Sequence, residues 1–218
     1  MTKPNTGILF DLDGTLLDTA QDLGEALNKL LNEMQRPEVA YSDYRKIASD
    51  GAKGMLELGF AQDLLQQDFQ SLRQQFLSYY AQDICVHTDY FAGVEALLLE
   101  LNRKTIPWGI VTNKPGYLTN ELLSHFPLLA QCQVIVSGDT LHERKPHPLP
   151  LIYAAEKLKL DVAQIYYVGD ARRDIQAAQA AKMISVVAEY GYIENLDMLK
   201  QWQADLHITC ATDLLTFC

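Results

Sequence analysis

The sequence of 218 residues predicts an α/β fold, in which helices cover both faces of a parallel β-sheet and an all-helical segment is inserted after the first strand. Over most of the chain, short apolar runs alternate with amphipathic stretches of helical periodicity, as expected for parallel strands joined by helices. Residues 19–86 break this alternation, because their apolar residues recur at helical spacing and no convincing strand interrupts them. A chain of this length is expected to form one core with one insertion.

Five apolar runs are predicted to be the strands: Gly7–Phe10, Trp108–Val111, Val134–Val136, residues 165–168 and residues 184–187. Helical periodicity predicts helices between them, including residues 94–102 and residues 149–160. The first, second and fourth runs are each followed at once by polar residues. We therefore expect the chemistry at the carboxyl ends of the strands, where ligands bind in open α/β sheets.

Two apolar stripes define helices in the inserted segment. One stripe consists of Leu23, Ala26, Leu27, Leu30, Leu31 and Met34, and the other of Phe69, Leu72, Phe76, Leu77 and Tyr80. The predicted domains are therefore an α/β core of residues 1–18 and 87–218 and a helical domain of residues 19–86.

The net charge of −10 argues against nucleic acids and anionic membranes as partners, because both repel an acidic protein. An anionic substrate would have to be attracted by cations close to the site rather than by the overall field. The N-terminus has no long apolar segment, and no stretch is apolar enough to span a membrane. The sequence therefore predicts a soluble, cytoplasmic protein.

The residues that most often bind transition metals are dispersed along the chain. The cysteines lack CxxC spacing and are expected to be reduced thiols: Cys85, Cys132, Cys210 and Cys218. The histidines lack HxxxH or similar spacing and are interpreted as surface or packing residues: His87, His125, His142, His147 and His207. No zinc site is predicted.

Asp11 and Asp13 lie one residue apart, directly after the first predicted strand and before a Gly-Thr turn. Alternate side chains of a strand share a face, so both carboxylates can reach over its end. Two like charges this close are unfavourable unless a cation or a proton separates them. The pair therefore predicts an active site with a divalent metal, a nucleophile and an acid.

Three further motifs follow downstream: Thr112-Asn113 after the second strand, then Lys145-Pro146, then Asp170 and Asp174 after the fourth strand. Together with Asp11-Leu12-Asp13-Gly14-Thr15, this ordered set resembles the motifs of the haloacid dehalogenase-like hydrolases and spans most of the chain. The resemblance implies a Rossmann-like sheet. It also implies that the helical insertion is a cap, which excludes water and contacts the part of the substrate beyond its phosphate.

The resemblance further implies the catalytic roles. Asp11 would be the nucleophile and form an aspartyl-phosphate, while Asp13 would protonate the leaving group and then take a proton from the attacking water. Mg²⁺ would be bound by the carboxylates of Asp11 and Asp170 and by the backbone carbonyl of Asp13. An all-oxygen site of this kind suits that ion.

The phosphate would be bound by the Thr112 hydroxyl, the Asn113 backbone N–H and the Lys145 ammonium, as the resemblance implies. Asp174 would position either a metal-bound water or Lys145. The backbone N–H groups of the turn at residues 14–17 would contact the transferring phosphoryl oxygens.

Each of these residues also has a purely structural interpretation. An Asp-Gly pair is common in turns, Thr112 could be a β-branched strand end, and Asn113 could cap a helix. Lys145 could be a solvated loop cation. Asp170 and Asp174 could charge the first turn of the following helix, a role compatible with metal binding.

Two branches of the family share further residues with this chain. Residues 18–23 and the helical insertion resemble phosphoglycolate phosphatases, which makes 2-phosphoglycolate the preferred substrate. Residues 49–55, 108–115 and 189–193 resemble N-acetylmuramic acid 6-phosphate phosphatases, so that compound or another sugar phosphate is the alternative. Both named substrates carry a carboxylate, for which there are two candidate cations: Lys53, in the turn between cap helices, and Lys114, beside the second motif.

Two other functional classes were weighed. A phosphomutase uses the same aspartyl-phosphate and stays open as an alternative. A non-catalytic binding protein would not need the charged constellation of Asp11, Asp13, Lys145 and Asp170, which argues against that class.

One position departs from the family pattern. The fourth motif is usually followed by Ala-Ala-x-x-Ala-Gly, whereas Ala180-Ala181 is here followed by Lys182. We expect a changed helix C-cap and little effect on catalysis.

Overall fold

The computed structural model describes residues 6–193 and 195–217; Cys218, one of the predicted reduced thiols, lies outside them. Eight strands occur in the described residues: β1 (Gly7–Phe10), β2 (Leu17–Asp18), β3 (Asp89–Tyr90), β4 (Trp108–Val111), β5 (Val134–Val136), β6 (Ile165–Gly169), β7 (Ile184–Ala188) and β8 (Leu206–Ile208). Six of them form one parallel sheet in the order β5-β4-β1-β6-β7-β8, while β2 and β3 pair separately.

The predicted parallel sheet is confirmed, with one strand more than the sequence indicates. Strands β6 and β7 each extend one residue further than predicted, to Gly169 and Ala188. Strand β8 is missing from the prediction. It is a three-residue edge strand whose middle residue, His207, is exposed, so it lacks the continuous apolar run that marks the buried strands.

Eight α-helices occur in the described residues: α1 (Ala20–Glu33), α2 (Tyr41–Tyr44), α3 (Gly51–Phe60), α4 (Phe69–Gln82), α5 (Val94–Arg103), α6 (Gly116–Ser124), α7 (Leu149–Leu158) and α8 (Arg172–Ala181). Short 3₁₀ segments also occur, the longest being Arg45–Asp50, Ala61–Gln66, Leu196–Gln201 and Ala211–Thr216. Helix α7 ends two residues earlier than predicted because Lys159 adopts a left-handed conformation, with φ 58° and ψ 40°.

Strand β1 shows how the two faces of the sheet are covered. All four of its residues are buried. Ile8 and Phe10 pack into an apolar cluster that includes α5 and the helical insertion, whereas Leu9 packs into a second cluster with α7 and α8. Because alternate side chains of a strand point to opposite faces, the helices lie on both faces of the sheet, as predicted.

The inserted segment is a set of helices in which α1 packs against α3 and α4. The predicted stripes are buried at Leu23, Ala26, Leu27, Leu30 and Leu31 of α1 and at Leu72, Phe76, Leu77 and Tyr80 of α4. Met34 differs from the prediction: it is the C-cap residue of α1 and is 37% exposed. Helix α4 starts where the Asp68 carboxylate accepts hydrogen bonds from the backbone N–H groups of Gln70 and Ser71.

The chain enters and leaves the inserted segment at the same place. Strand β2, before the insertion, pairs antiparallel with β3, after it, so that Leu17 lies opposite Tyr90. Near the start of α1, the buried Asp22 carboxylate accepts backbone hydrogen bonds of 2.9–3.2 Å from the returning chain at Val86, His87 and Thr88. The departing helix and the returning chain are therefore joined by one side chain.

Two compositional predictions concern the whole chain. Cys85, Cys132 and Cys210 are free thiols, as expected. None of the described helices is both long enough and apolar enough to cross a membrane.

Candidate active site

Three neighbouring strands bring the predicted site residues to one edge of the sheet. Asp11 follows β1, Thr112 follows β4 and Asp170 follows β6, and β1 lies between the other two strands. The backbone hydrogen bonds between neighbouring strands continue to these positions. The Asp11 amide donates to Val168 O at 2.9 Å, and the Thr112 amide donates to Val136 O at 2.8 Å. The predicted residues therefore meet at the carboxyl ends of parallel strands.

Lys145 is the buried cation of this edge, with 2% of its surface exposed. Its Nζ lies 2.8 Å from Asp11 Oδ1 and 2.8 Å from Asp174 Oδ1, and it donates to the Tyr167 hydroxyl at 2.8 Å. An ammonium group has three N–H donors, so these contacts use all of them. The interpretation of Lys145 as a solvated loop cation is therefore wrong.

Asn113 fixes the loop that carries Lys145. Its Nδ2 donates to Lys145 O at 2.8 Å, and the Lys145 backbone N–H donates to Asn113 Oδ1 at 3.0 Å. The next helix has Pro115 as its N-cap residue, so the interpretation of Asn113 as a helix cap is wrong. The Thr112 hydroxyl accepts a hydrogen bond of 3.1 Å from the Lys114 amide. The predicted contacts of Thr112 and Asn113 with phosphate stay predictions.

Asp13 has a cation of its own. Lys114 Nζ donates to Asp13 Oδ1 at 2.8 Å, and the Thr19 hydroxyl donates to the same oxygen at 2.8 Å. Lys114 Nζ also donates to the hydroxyl of Tyr80, on helix α4, at 2.9 Å. Since Asp11 pairs with Lys145 and Asp13 pairs with Lys114, each of the two acids has a separate positive partner.

Asp170 is buried and accepts three hydrogen bonds. They come from the Thr15 hydroxyl at 3.2 Å, from the Tyr192 amide at 3.1 Å and from the Ser49 hydroxyl. Ser49 belongs to the inserted segment, whereas Thr15 and Tyr192 belong to the core. The carboxylate therefore lies where the two parts of the molecule meet.

Asp170 and Asp11 bind protons more tightly than exposed carboxyl groups do. Burial, together with the nearby Asp174 and Asp11, raises the pKa of Asp170 to about 7. Burial also raises the pKa of Asp11 to about 6, although the Lys145 ammonium opposes this shift. Several carboxyls facing one ammonium leave an excess of negative charge, which a proton or a metal cation can balance.

The acidic residues fit a divalent cation. Carboxylate oxygens of Asp11, Asp170 and Asp174 lie within 4.8 Å of one another, and all three residues are buried. Oxygen ligands of this kind suit Mg²⁺. Gly14 lets the backbone approach the group closely, since a Cβ at this position would lie 2.2 Å from Asp170 Oδ2. The Asp13 side chain is engaged with Lys114, so its expected contact with the metal would come from the backbone carbonyl.

The turn after Asp13 does not match the expectation. The Gly14 amide donates to Leu17 O at 2.9 Å, and Leu12 O accepts hydrogen bonds from the amides of Thr15, Leu16 and Leu17. The prediction that the N–H groups of residues 14–17 bind phosphoryl oxygens is therefore wrong. These groups close the turn that leads from Asp13 into β2.

A cavity of about 580 Å³ lies between the core and the inserted segment. The core contributes the predicted residues Asp11, Asp13, Thr112, Asn113, Lys114 and Lys145 to its lining, and the insertion contributes Ser49, Lys53, Arg73, Phe76 and Tyr80. The side chain of Lys53 is 75% exposed and lies 3.7 Å from Glu57. Its predicted contact with a substrate carboxylate stays a prediction.

The sequence prediction misses three side chains at the site. Tyr167 accepts from Lys145 and donates to Val111 O at 2.9 Å, but its position in β6 looks like any buried strand residue. Ser49 contacts Asp170 from the insertion, which no local pattern indicates. Arg173 lies inside the fourth motif, and its charge was a usable signal. It pairs with Asp50 at 2.9 Å and so ties α8 to the insertion.

Comparison with known proteins shows to which family the chain belongs. The family model of the haloacid dehalogenase-like hydrolases matches residues 8–188, a stretch that includes all four motifs. The chain belongs to the haloacid dehalogenase-like hydrolases.

Relatives within the family cover nearly the whole chain. A phosphoglycolate phosphatase of Xanthomonas campestris pv. campestris is 43% identical over 199 residues, which is 91% of this chain and 90% of that protein. An N-acetylmuramic acid 6-phosphate phosphatase of Pseudomonas putida is 36% identical over 199 residues, or 91% of this chain and 89% of that protein. A crystal structure described as a predicted phosphoglycolate phosphatase from Haemophilus somnus 129PT has a TM-score of 0.86 at 27% identity. It covers 100% of this chain and 99% of that one.

These findings confirm the predicted family, the predicted fold class and the predicted enzyme class. The chain has the fold of the haloacid dehalogenase-like hydrolases and is a hydrolase of phosphate monoesters. The sequence resembles two branches of the family, the phosphoglycolate phosphatases and the N-acetylmuramic acid 6-phosphate phosphatases. Both branches are represented among these relatives.

Proposed function

We propose that this enzyme hydrolyses a small carboxylated phosphate monoester through an aspartyl-phosphate on Asp11, with 2-phosphoglycolate as the preferred substrate. The observation that supports this most directly is the contact of 2.8 Å between Lys145 Nζ and Asp11 Oδ1 at the base of the cavity. A buried ammonium beside a carboxylate can neutralise both the nucleophile and the incoming phosphate. Asp13, two residues on and held by Lys114, supplies the acid.

In the first step, an oxygen of Asp11 attacks phosphorus, and the bond from phosphorus to the leaving oxygen breaks. Asp13 gives its proton to that oxygen, and the alcohol leaves. In the second step, Asp13 takes a proton from water, the water oxygen attacks phosphorus, and Asp11 is released together with inorganic phosphate. Asp11, Asp170 and the backbone carbonyl of Asp13 would hold Mg²⁺, which would supply positive charge beside the phosphate.

The volume of the cavity favours a second candidate substrate. Phosphoglycolate has about nine non-hydrogen atoms, and at about 30 Å³ for each atom, the volume of a water molecule in the liquid, it fills less than half of a cavity of about 580 Å³. By the same measure, N-acetylmuramic acid 6-phosphate, which is the substrate in the name of the Pseudomonas putida relative, has about 24 non-hydrogen atoms and would occupy the whole cavity and extend beyond it.

The test of this function is the release of inorganic phosphate from a panel of esters by the wild-type enzyme and by Asp11→Asn. The panel contains 2-phosphoglycolate, N-acetylmuramic acid 6-phosphate, hexose phosphates and a nucleotide. The variant keeps the shape of the side chain but lacks the nucleophilic charge, so we expect kcat to fall by about 1,000-fold or more with the fold intact. Full activity of Asp11→Asn with Mg²⁺ present would exclude the covalent mechanism.

Removal of the metal gives a second readout of the same function. We expect EDTA to abolish activity and Mg²⁺ to restore it, because buried carboxylates repel a phosphate when no cation balances them. Hydrolysis that persists in EDTA would contradict the proposed metal site. Phosphate release without any bisphosphate activator would separate a phosphatase from a phosphomutase.

A further inference from the structure

Six cationic side chains line the cavity, and four of them already have a carboxylate partner: Lys53, Lys114, Lys145 and Arg173. The other two are Arg73 and Arg144. Within residues 6–193 and 195–217, neither guanidinium group takes part in an ion pair or a side-chain hydrogen bond. These arginines are the cavity cations whose donors are free.

The two arginines approach the cavity from different parts of the molecule. Arg73 lies on α4, one turn before Phe76 and two turns before Tyr80, so it shares the face of the helix that lines the cavity. Arg144 directly precedes Lys145, in the loop that Asn113 holds. Arg144 is therefore joined directly to a residue whose backbone Asn113 holds.

Both arginines also line a second cavity of about 600 Å³, which shares Arg73, Leu77, Asn113, Pro115 and Arg144 with the first one. They therefore lie where the two cavities join. A substrate that extends from Asp11 towards the second cavity would therefore come near both of them.

Because the chain is acidic, it is notable that these two arginines have no carboxylate partner in the part of the chain that the structure describes. Asp and Glu number 28 and Lys and Arg number 18, so a carboxylate partner is readily available to most cations of this chain. Two neighbouring guanidinium groups without a counter-charge repel each other, and an anion placed between them removes that repulsion. A guanidinium group binds a carboxylate through two parallel N–H donors, which makes arginine suitable for this contact.

We propose that Arg73 and Arg144 bind the carboxylate of the substrate and so select phosphate esters that carry a second, carboxylic acid group. This inference depends on the proposed function, because it names the residues that recognise the part of the substrate beyond the phosphate. Lys53 and Lys114 are less suited to the task, since Lys53 is paired with Glu57 and Lys114 is engaged with Asp13 and Tyr80.

The test uses pairs of phosphate esters in which one member carries a carboxylate and the other does not. One pair is 2-phosphoglycolate and 2-hydroxyethyl phosphate, and the other is N-acetylmuramic acid 6-phosphate and N-acetylglucosamine 6-phosphate. For Arg73→Ala and Arg144→Ala, we expect kcat/KM on the carboxylated member of at least one pair to fall about 10-fold to 100-fold, mainly through KM. On the other member, we expect a change within about twofold.

Arg103→Ala is the matched control, because Arg103 is exposed on α5, pairs with Glu100 and does not line the cavity. It should behave as the wild type on all four substrates. Arg73→Lys and Arg144→Lys keep the charge and should recover part of the affinity for the carboxylated esters. Circular dichroism and thermal melting of each variant separate a loss of recognition from a loss of fold.

Equal losses on both members of each pair would overturn the inference, as would wild-type kinetics of both arginine variants. Discrimination that disappears in Lys53→Ala but persists in the arginine variants would assign the carboxylate to Lys53 instead. If the wild-type enzyme releases phosphate from none of the four esters, the proposed function itself fails, and this inference fails with it.

Discussion

The side chains that converge at the sheet edge carry more negative than positive charge. Asp11, Asp170 and Asp174 converge, and the ammonium of Lys145 contacts two of them, Asp11 and Asp174. Asp170 is stabilised instead by hydroxyl and amide donors, which carry no net charge. Because burial disfavours a charged carboxylate, the pKa values of Asp11 and Asp170 rise.

This imbalance makes the binding of Mg²⁺ dependent on pH. Burial raises the pKa of Asp170 to about 7 and that of Asp11 to about 6, above the ordinary value of 3.8. Between pH 4 and pH 7, these two carboxyl groups therefore bind more protons in the metal-free folded protein than in the unfolded chain, and their contribution to stability falls as the pH rises. Mg²⁺ binds the ionised carboxylates, so we expect it to raise Tm strongly at pH 8 and little at pH 5.5.

Thermal melts with and without Mg²⁺ at both pH values measure this effect. Asp170→Asn is the control, because it removes one titrating group and one expected ligand, and it should abolish most of the shift at pH 8. An equal shift of Tm at pH 5.5 and pH 8 in the wild type would contradict the prediction.

The sequence predicts some of the site residues at this edge of the sheet and misses others, and the difference has a physical reason. Asp11, Thr112 and Asp170 directly follow apolar strands, so a local pattern is enough to place them together. Tyr167 and Ser49 have no such pattern, because their role depends on contacts that form only once distant segments pack. The prediction for the turn at residues 14–17 is wrong because its N–H groups donate to the carbonyl oxygens of Leu12 and Leu17.

At the scale of the elements, the end of α8 shows the effect of one unusual residue. Lys182 is the C-cap residue and has φ 61° and ψ 31°, a left-handed conformation that costs a residue with a Cβ about 1 kcal/mol. The changed C-cap expected from the sequence is thus visible. We expect Lys182→Gly to raise the free energy of unfolding by about 0.5–1 kcal/mol and to leave kcat unchanged.

Gln176→Gly is the matched control on the same helix. Gln176 is exposed in the interior of α8, where glycine should lower the free energy of unfolding by about 1 kcal/mol. Urea unfolding measures both variants. The account of the C-cap would be refuted if both glycines changed stability in the same direction.

The strands are predicted well where the sequence has a continuous apolar run and poorly where it does not. Strands β1, β4 and β5 have the bounds that their apolar runs indicate. Strands β2 and β3 have two residues each, and their pairing depends on the chain returning beside its starting point, which no local pattern encodes. Strand β8 is at the sheet edge and pairs with β7 alone.

At the scale of the whole molecule, Asp22 joins the inserted segment to the chain that returns to the core. It is buried, and it accepts backbone hydrogen bonds at residues 86–88 and a hydroxyl hydrogen bond of 2.6 Å from Thr88. The predicted boundary between residues 86 and 87 falls within this contact and stays a prediction. We expect Asp22→Ala to lower the free energy of unfolding by about 2 kcal/mol or more, since it leaves several backbone N–H groups without partners.

Asp43→Ala is the control for Asp22→Ala, because Asp43 is exposed and its ion pair with Lys46 is 3.8 Å long. Its effect on stability should stay within about 0.5 kcal/mol. Chemical denaturation of both variants gives the comparison. A loss for Asp22→Ala no larger than that of the control would show that the returning chain is held by its other contacts.

The order of the strands also has a consequence for biosynthesis. β1 is at the centre of the sheet, and its partners β4 and β6 begin only at Trp108 and Ile165. At a translation rate of about 5–20 residues per second, the nascent first strand waits about 5–20 s before a partner emerges from the ribosome. The inserted helices, whose contacts are closer in sequence, can associate during that interval. We therefore expect the newly made apolar strand to be the segment most exposed to aggregation and most in need of chaperones.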